Sequence, residues 1–144
     1  MPISSSDITH NAPVRGSVGA YGELLGVPLY KTVAAKTSNY TMVPADCGKI
    51  FTNRAATAAI TFTLPPVTSL ATGWWVIVYS VDNDGIVVAS NGSSDNITGK
   101  NDATADSCTM TTNSLAIGAG LMLIWDGTSW LTFQAGNGAT YTYA

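Results

Sequence analysis

Charged side chains are scarce in this sequence. Asp, Glu, Lys and Arg make up 10% of 144 residues, against about 25% in ordinary soluble domains. The six basic residues, Arg15, Lys31, Lys36, Lys49, Arg54 and Lys100, are scattered and are outnumbered by acidic ones, for a net charge of −3. Binding to nucleic acid by counterion release needs a clustered basic patch, so no nucleic-acid partner is expected. His10 is the single histidine and Glu23 the single glutamate. A Ser/His/Asp or Cys/His site would have to use His10, which sits in a segment broken by proline and glycine, whereas a catalytic base is held on a rigid scaffold by an orienting partner. We therefore expect no catalytic residue and no enzyme.

Cysteine is nearly absent too. Neither Cys47 nor Cys108 has a neighbouring ligand at zinc spacing, and one histidine cannot complete a first shell, so no metal and no cofactor is expected. The two thiols could pair if their Cβ atoms met, but they read more simply as reduced, buried small hydrophobes. The opening Met-Pro-Ile-Ser-Ser-Ser-Asp lacks a basic region followed by an apolar one, so no secretory signal is visible and synthesis in the cytosol is expected. Long apolar runs are missing as well. The longest, Trp74 to Tyr79 and Leu121 to Trp125, are too short to cross a bilayer as helices, and no membrane partner is expected. Asn39, Asn91 and Asn96 each begin an Asn-x-Ser/Thr triplet, as chance provides in a Thr-rich chain.

What remains is apolar and hydroxylated. Mean hydropathy is +0.21, so Thr, Ser, Asn and Gly must cover much of the outside. A surface so short of charge has a weak electrostatic barrier against association. It fits either buried subunit contacts, the reading preferred here, or a neutral, Thr-rich monomer.

The chain divides near residue 36. Before it, Pro2, Pro13 and Pro28 with Gly16, Gly19, Gly22 and Gly26 interrupt any helical or strand period. Residues 1–36 read as an extended arm, too apolar to be a solvated linker: Val14, Val18, Tyr21, Leu24, Leu25, Val27, Leu29 and Tyr30 all need a surface to lie on. A partner or a neighbouring subunit would supply it; wrapping of the arm on its own domain is the plainer alternative.

Residues 37–144 show short β-prone runs between turn residues and no amphipathic helix period. In Ile60-Thr61-Phe62-Thr63-Leu64 the apolar side chains fall on one face and the threonines on the other. Trp74 to Tyr79 and Leu121 to Trp125 are apolar throughout, which predicts strands covered on both faces. Asn83-Asp84-Gly85 and Asp126-Gly127 carry the Asp-Gly signal of a hairpin, and Pro65-Pro66 ends a strand. The expected fold is all-β, an antiparallel sandwich or barrel-like domain with an extended N-terminal arm.

Other motifs have plain structural readings. Asp82-Asn83-Asp84-Gly85 resembles the start of a calcium loop, but a Ser93 stands where the bidentate Glu belongs. Gly118-Ala119-Gly120 and Gly136-Asn137-Gly138 open no helix and precede no Lys-Ser/Thr, so they are not phosphate loops. Trp74, Trp75, Trp125, Trp130, Tyr141 and Tyr143 could stack sugars, though core packing explains them as well.

One combined pattern runs from Tyr40 to Phe133: Tyr40-Thr41-Met42-Val43, Asp46-Cys47-Gly48-Lys49-Ile50, Ala59 to Pro66, Gly73 into Trp74 to Tyr79, Asn96-Ile97-Thr98-Gly99, and Leu121 to Ile124 followed by Trp125-Asp126-Gly127-Thr128-Ser129-Trp130. It resembles a β module of bacteriophage virion appendages, found in tail fibres and in head-fibre or capsid-decoration proteins. The resemblance implies a trimer, no catalytic residues, and an adhesive or capping role. The chain departs from tail fibres in having no heptad or shaft region. The resemblance therefore points to a capsid-decoration protein made in the host cytoplasm, located on the capsid surface of the virion, and bound to the major capsid protein through its arm. The alternative is a tail-fibre-type tip that recognises host polysaccharide through exposed Trp or Tyr. A hydrolase would require an acidic cleft, which nothing here demands.

Overall fold

The computed structural model describes residues 31–110, 117–136 and 139–144, together with the backbone of Glu23–Leu24 and Val27–Pro28. The chain falls into two units, Met1–Thr32 and Val33–Ala144. In the first, β1 (Glu23–Leu24) and β2 (Val27–Pro28) pair antiparallel, with Leu24 opposite Val27.

The second unit is built from β3 (Val33–Ala35), β4 (Tyr40–Thr41), β5 (Ile50–Thr52), β6 (Ile60–Thr63), β7 (Trp75–Tyr79) and β8 (Ile86–Ala89), followed by β9 (Ile97–Gly99), β10 (Asp102–Ala105), β11 (Ser107–Met110), β12 (Gly120–Trp125), β13 (Trp130–Ala135) and β14 (Tyr141–Tyr143). These form a seven-stranded sheet in the order β10-β9-β13-β12-β7-β5-β3 and a five-stranded sheet in the order β14-β11-β8-β6-β4. Single-turn 3₁₀ segments at Pro44–Asp46 and Val67–Ser69 lie in the connections.

The fold is all-β, but its sheets are mixed rather than antiparallel, and neither closes into a barrel. From β3 to β8 the chain alternates between the two sheets. Each strand's hydrogen-bonded neighbour is therefore the strand one full winding away, running the same way: β3 with β5, β5 with β7, β4 with β6, and β6 with β8 are all parallel. The expected hairpin at Asn83-Asp84-Gly85 is one of these crossings, because β7 and β8 belong to different sheets. The buried Asn53 side chain shapes the crossing. Its oxygen accepts the N–H groups of Val81 and Asp82 at 2.8 and 3.2 Å, and its nitrogen donates to the Asp84 carbonyl at 2.6 Å. These same bonds account for the residues that resemble a calcium loop. The Asp126-Gly127 hairpin is present as expected: β12 and β13 pair antiparallel from Trp125 opposite Trp130 to Gly120 opposite Ala135. Asp126 accepts the N–H groups of Thr128 and Ser129, while Gly127 takes φ +99°.

Val33–Ala35, expected at the end of the arm, is the edge strand beside β5. Strand β6 ends at Thr63, before the two prolines. Between the sheets, Phe51 of β5 meets Phe62 of β6 with ring centroids 5.6 Å apart, and Tyr40 packs on Phe51 at 5.4 Å. Trp130 is fully buried, edge-on to Trp74 and tilted against Trp125, each at 5.5 Å. Side chains of this size contribute about 1.5–3 kcal/mol each on burial, and the three indoles are the largest block of the core.

Strand β9 adds to β13 in parallel through Ile97 opposite Trp130 and Thr98 opposite Leu131. Gly99 then passes directly beneath the ring of Tyr143, where no side chain would fit. The Tyr143 hydroxyl is held in that position by the Gln134 amide at 2.8 Å and the Thr132 hydroxyl at 3.0 Å. Gly99→Val should displace the ring and lose about 1–3 kcal/mol of stability; urea unfolding with an unchanged m-value and a lowered midpoint is the expected result.

Candidate interaction surface

The polar groups inside the second unit serve the fold. Asp46 is buried, yet both of its oxygens are satisfied: one by Lys49 at 2.7 Å, the other by the Tyr40 hydroxyl at 3.0 Å and the Val43 N–H at 2.9 Å. Burial works to raise the Asp46 pKa, but the hydrogen bonds from Lys49, Val43 and Tyr40 outweigh it and leave the carboxyl below its ordinary value. Lys36 lies 3.5 Å from the Tyr40 ring centroid, which closes a cation–aromatic stack over the cluster. Every donor and acceptor in this group is directed at another member, so the cluster is a clamp on the turn between β4 and β5.

Cys108 is buried between β8 and β14, and its thiol is pushed up to about 11 by burial. It is an inert core residue. Cys47 is exposed and free, contrary to the expectation of two buried thiols, because it lies just beyond the turn at Pro44–Asp46. Among the described residues no group of His, Cys, Asp or Glu is placed to hold a metal ion. Trp74, Trp125 and Trp130 are core residues, and the Tyr141 and Tyr143 hydroxyls are engaged with Gly120, Ala135, Thr132 and Gln134. The proposed sugar-stacking set is thus largely internal. A shallow groove of about 400 Å³ beside Leu131 to Gln134 has one aromatic ring in its wall, Phe133.

The informative surfaces are the two outer sheet faces, and strand registers define them. On the five-stranded sheet, Phe62, Val88, Cys108 and Tyr143 form one inward row. The outward positions are Thr61, Val87, Thr109 and Thr142 in one row and Thr41, Thr63, Ala89 and Ser107 in the next. That face is hydroxylated and neutral.

The seven-stranded sheet is different. Its inward residues Phe51, Val76, Val78, Leu121 and Leu123 are buried, and strand alternation sends the intervening residues outward. Register aligns Val33, Ile50, Ile77, Met122 and Phe133 in a single outward row across five strands. The row on one side of it runs Trp75, Ile124, Leu131 and Thr98, and the row on the other runs Ala35, Thr52, Tyr79, Gly120 and Ala135. No position in the three rows is charged. Val33 and Phe133, at the two ends of the central row, are 61% and 55% exposed, and Ile50, Ile77 and Met122 between them are half-buried. The all-apolar runs at β7 and β12, expected to be covered on both faces, are fully buried on one.

Of the predicted partner-binding residues, Val14, Val18, Tyr21, Leu25, Leu29 and Tyr30 lie outside the described residues, as does His10, and only the backbone of Leu24 and Val27 is described. The outward row was not singled out from sequence. Its signal was present in the unbroken hydrophobicity of β7 and β12, but only the register brings Val33, Ile50 and Phe133 into line with them. No protein-family model matches the chain, and no curated protein matches it.

Two measurements test the clamp. An acid depressed in the folded state stabilises fully above its unfolded pKa, and that contribution is lost as pH falls through the folded one. Stability should therefore hold near neutrality and decline below about pH 4, a decline that should flatten in Asp46→Asn. Asp46→Ala at pH 7 should cost about 1–3 kcal/mol, because it removes the hydrogen bonds that hold the turn while Lys49 and Tyr40, both partly exposed, can turn to water; chemical denaturation provides the value.

Proposed function

We propose that the chain is a structural virion protein, a capsid-decoration protein of the cement or head-fibre kind. It binds the outer capsid surface through its N-terminal arm and associates with copies of itself through the β domain. The observation that carries this reading is the set of apolar outward rows across β3, β5, β7, β12 and β13 of the seven-stranded sheet, a surface suited to a protein neighbour. The resemblance from Tyr40 to Phe133 adds support, since that stretch runs from β4 into β13 and so spans most of both sheets. The trimer belongs to the same proposal: three arms on one assembly raise each other's effective concentration, so weak individual contacts suffice to hold a shell.

A polysaccharide-binding tip has less support, because three of the four tryptophans are buried in the core. Copy number separates the two readings, with hundreds of copies per particle for decoration and a handful for an appendage. Deleting residues 1–30 should abolish binding to empty capsids while sparing the oligomer. Unchanged capsid binding by the deletion, measured by co-sedimentation, would refute this division of labour.

A further inference from the structure

We infer that the outward row Val33, Ile50, Ile77, Met122 and Phe133, with the flanking Trp75, Ile124 and Leu131, is the surface through which copies of this chain bind one another. The inference deepens the self-association half of the proposed function and names its residues. It does not depend on the capsid half.

Three observations select a second copy as the occupant. The first is chemical. The three outward rows hold no Asp, Glu, Lys or Arg, and the one cation in the groove beside them, Lys100 next to Phe133, lies at the end of the row, so its middle has no charge by which to select a partner of complementary sign. Its natural complement is another uncharged aliphatic sheet face, and every copy of the chain supplies one. The hydroxylated face of the five-stranded sheet is no such complement, because burying Thr61, Thr63, Thr109 and Thr142 against it would leave hydroxyl groups without partners.

The second observation is size. Five strands about 4.8 Å apart and three alternating rows about 6.7 Å apart span roughly 24 by 20 Å. Pairing two such faces removes about 1,000 Å² of surface from water, the lower limit of a specific interface and above the range of adventitious contacts.

The third is shape. Sheets pack face to face about 10 Å apart with interleaved rows of side chains, and the outward row presents one side chain per strand in continuous register across five neighbouring strands, from the edge strand β3 to β13. The most exposed members, Val33 and Phe133, sit at its ends. Ile77 is at its centre, where a symmetric contact is densest.

The test is the mass of the intact full-length chain by light scattering coupled to gel filtration, at concentrations from about one to one hundred micromolar. The wild type should be a dimer, since two like faces paired on each other close as a two-fold contact, and a trimer would overturn this pairing in favour of the threefold assembly that the resemblance implies. Ile77→Lys with Met122→Lys should shift it to a monomer by at least a hundredfold in dissociation constant, whereas Thr109→Lys on the opposite face should leave the oligomer unchanged. Because central lysines could disturb the sheet, Phe133→Glu with Val33→Glu provides a second variant at positions already more than half exposed. This pair should weaken association at least tenfold with its circular dichroism and unfolding midpoint preserved. A monomeric wild type overturns the inference, as does an oligomer that survives the exposed-position pair intact. Either result leaves capsid binding by the arm, measured by co-sedimentation, as a separate question.

Discussion

A two-layer β domain can cover only one face of each of its sheets, and this constraint organises the rest of the molecule. Because side chains alternate along a strand, every strand that buries one set of residues presents the other set outward. Here the chain winds alternately through the two sheets from β3 to β8, so both inward faces are filled together by Phe51, Phe62, Val76, Val88 and the three indoles. The outward faces must then be settled separately. One is settled by threonine and serine, which tolerate water. The other carries isoleucine, methionine, leucine, phenylalanine and tryptophan, and none of the described residues of the second unit forms a third layer over them. The proposed structural role follows from that imbalance rather than from any reactive group.

Much of the architecture was legible in the sequence. Period-two patterning located β6 because its outward residues are threonines, and Asp126-Gly127 located the β12–β13 hairpin because that turn needs a glycine at positive φ. The same dipeptide logic misled at Asn83-Asp84-Gly85. There the turn conformation is dictated from a distance by Asn53, and a side chain thirty residues away in sequence leaves no local trace. Parallel pairing was missed for a related reason. From β3 to β8 consecutive strands lie across the core from one another, so the pairing partner is never the next strand in the chain, and short loops that suggest hairpins instead cross between sheets. Strand β3 was hidden because Val33-Ala34-Ala35 is too short and too bland to show a period, and its place at the sheet edge comes entirely from its register with β5.

The candidate surface was half legible. Continuous hydrophobicity at Trp74 to Tyr79 and at Leu121 to Trp125 predicted cover on both faces of these strands, and the described chain supplies it fully on one. It could not tell cover supplied by the same chain from cover supplied by another molecule, and although self-association was expected of the β domain, the sequence argument named partner-binding residues in the arm alone. Register turns two separate runs into a surface by adding Ile50, Val33 and Phe133 to the same row. Two described ionisable residues also have a structural role. Asp46 is held ionised by the hydrogen bonds of a turn and paired with Lys49, and Cys108 is kept protonated by burial, so both groups hold the fold together.

The winding of β3 to β8 also has a kinetic consequence. Since each strand waits for one a full circuit further along the chain, no pair in this region can zip up from a tight turn, and loop-closure entropy must be met before any ladder forms. Topologies of this kind mature over milliseconds to seconds. During that interval the oily outer rows would be accessible before the domain had acquired its final shape, so maturation and assembly would compete for the same side chains.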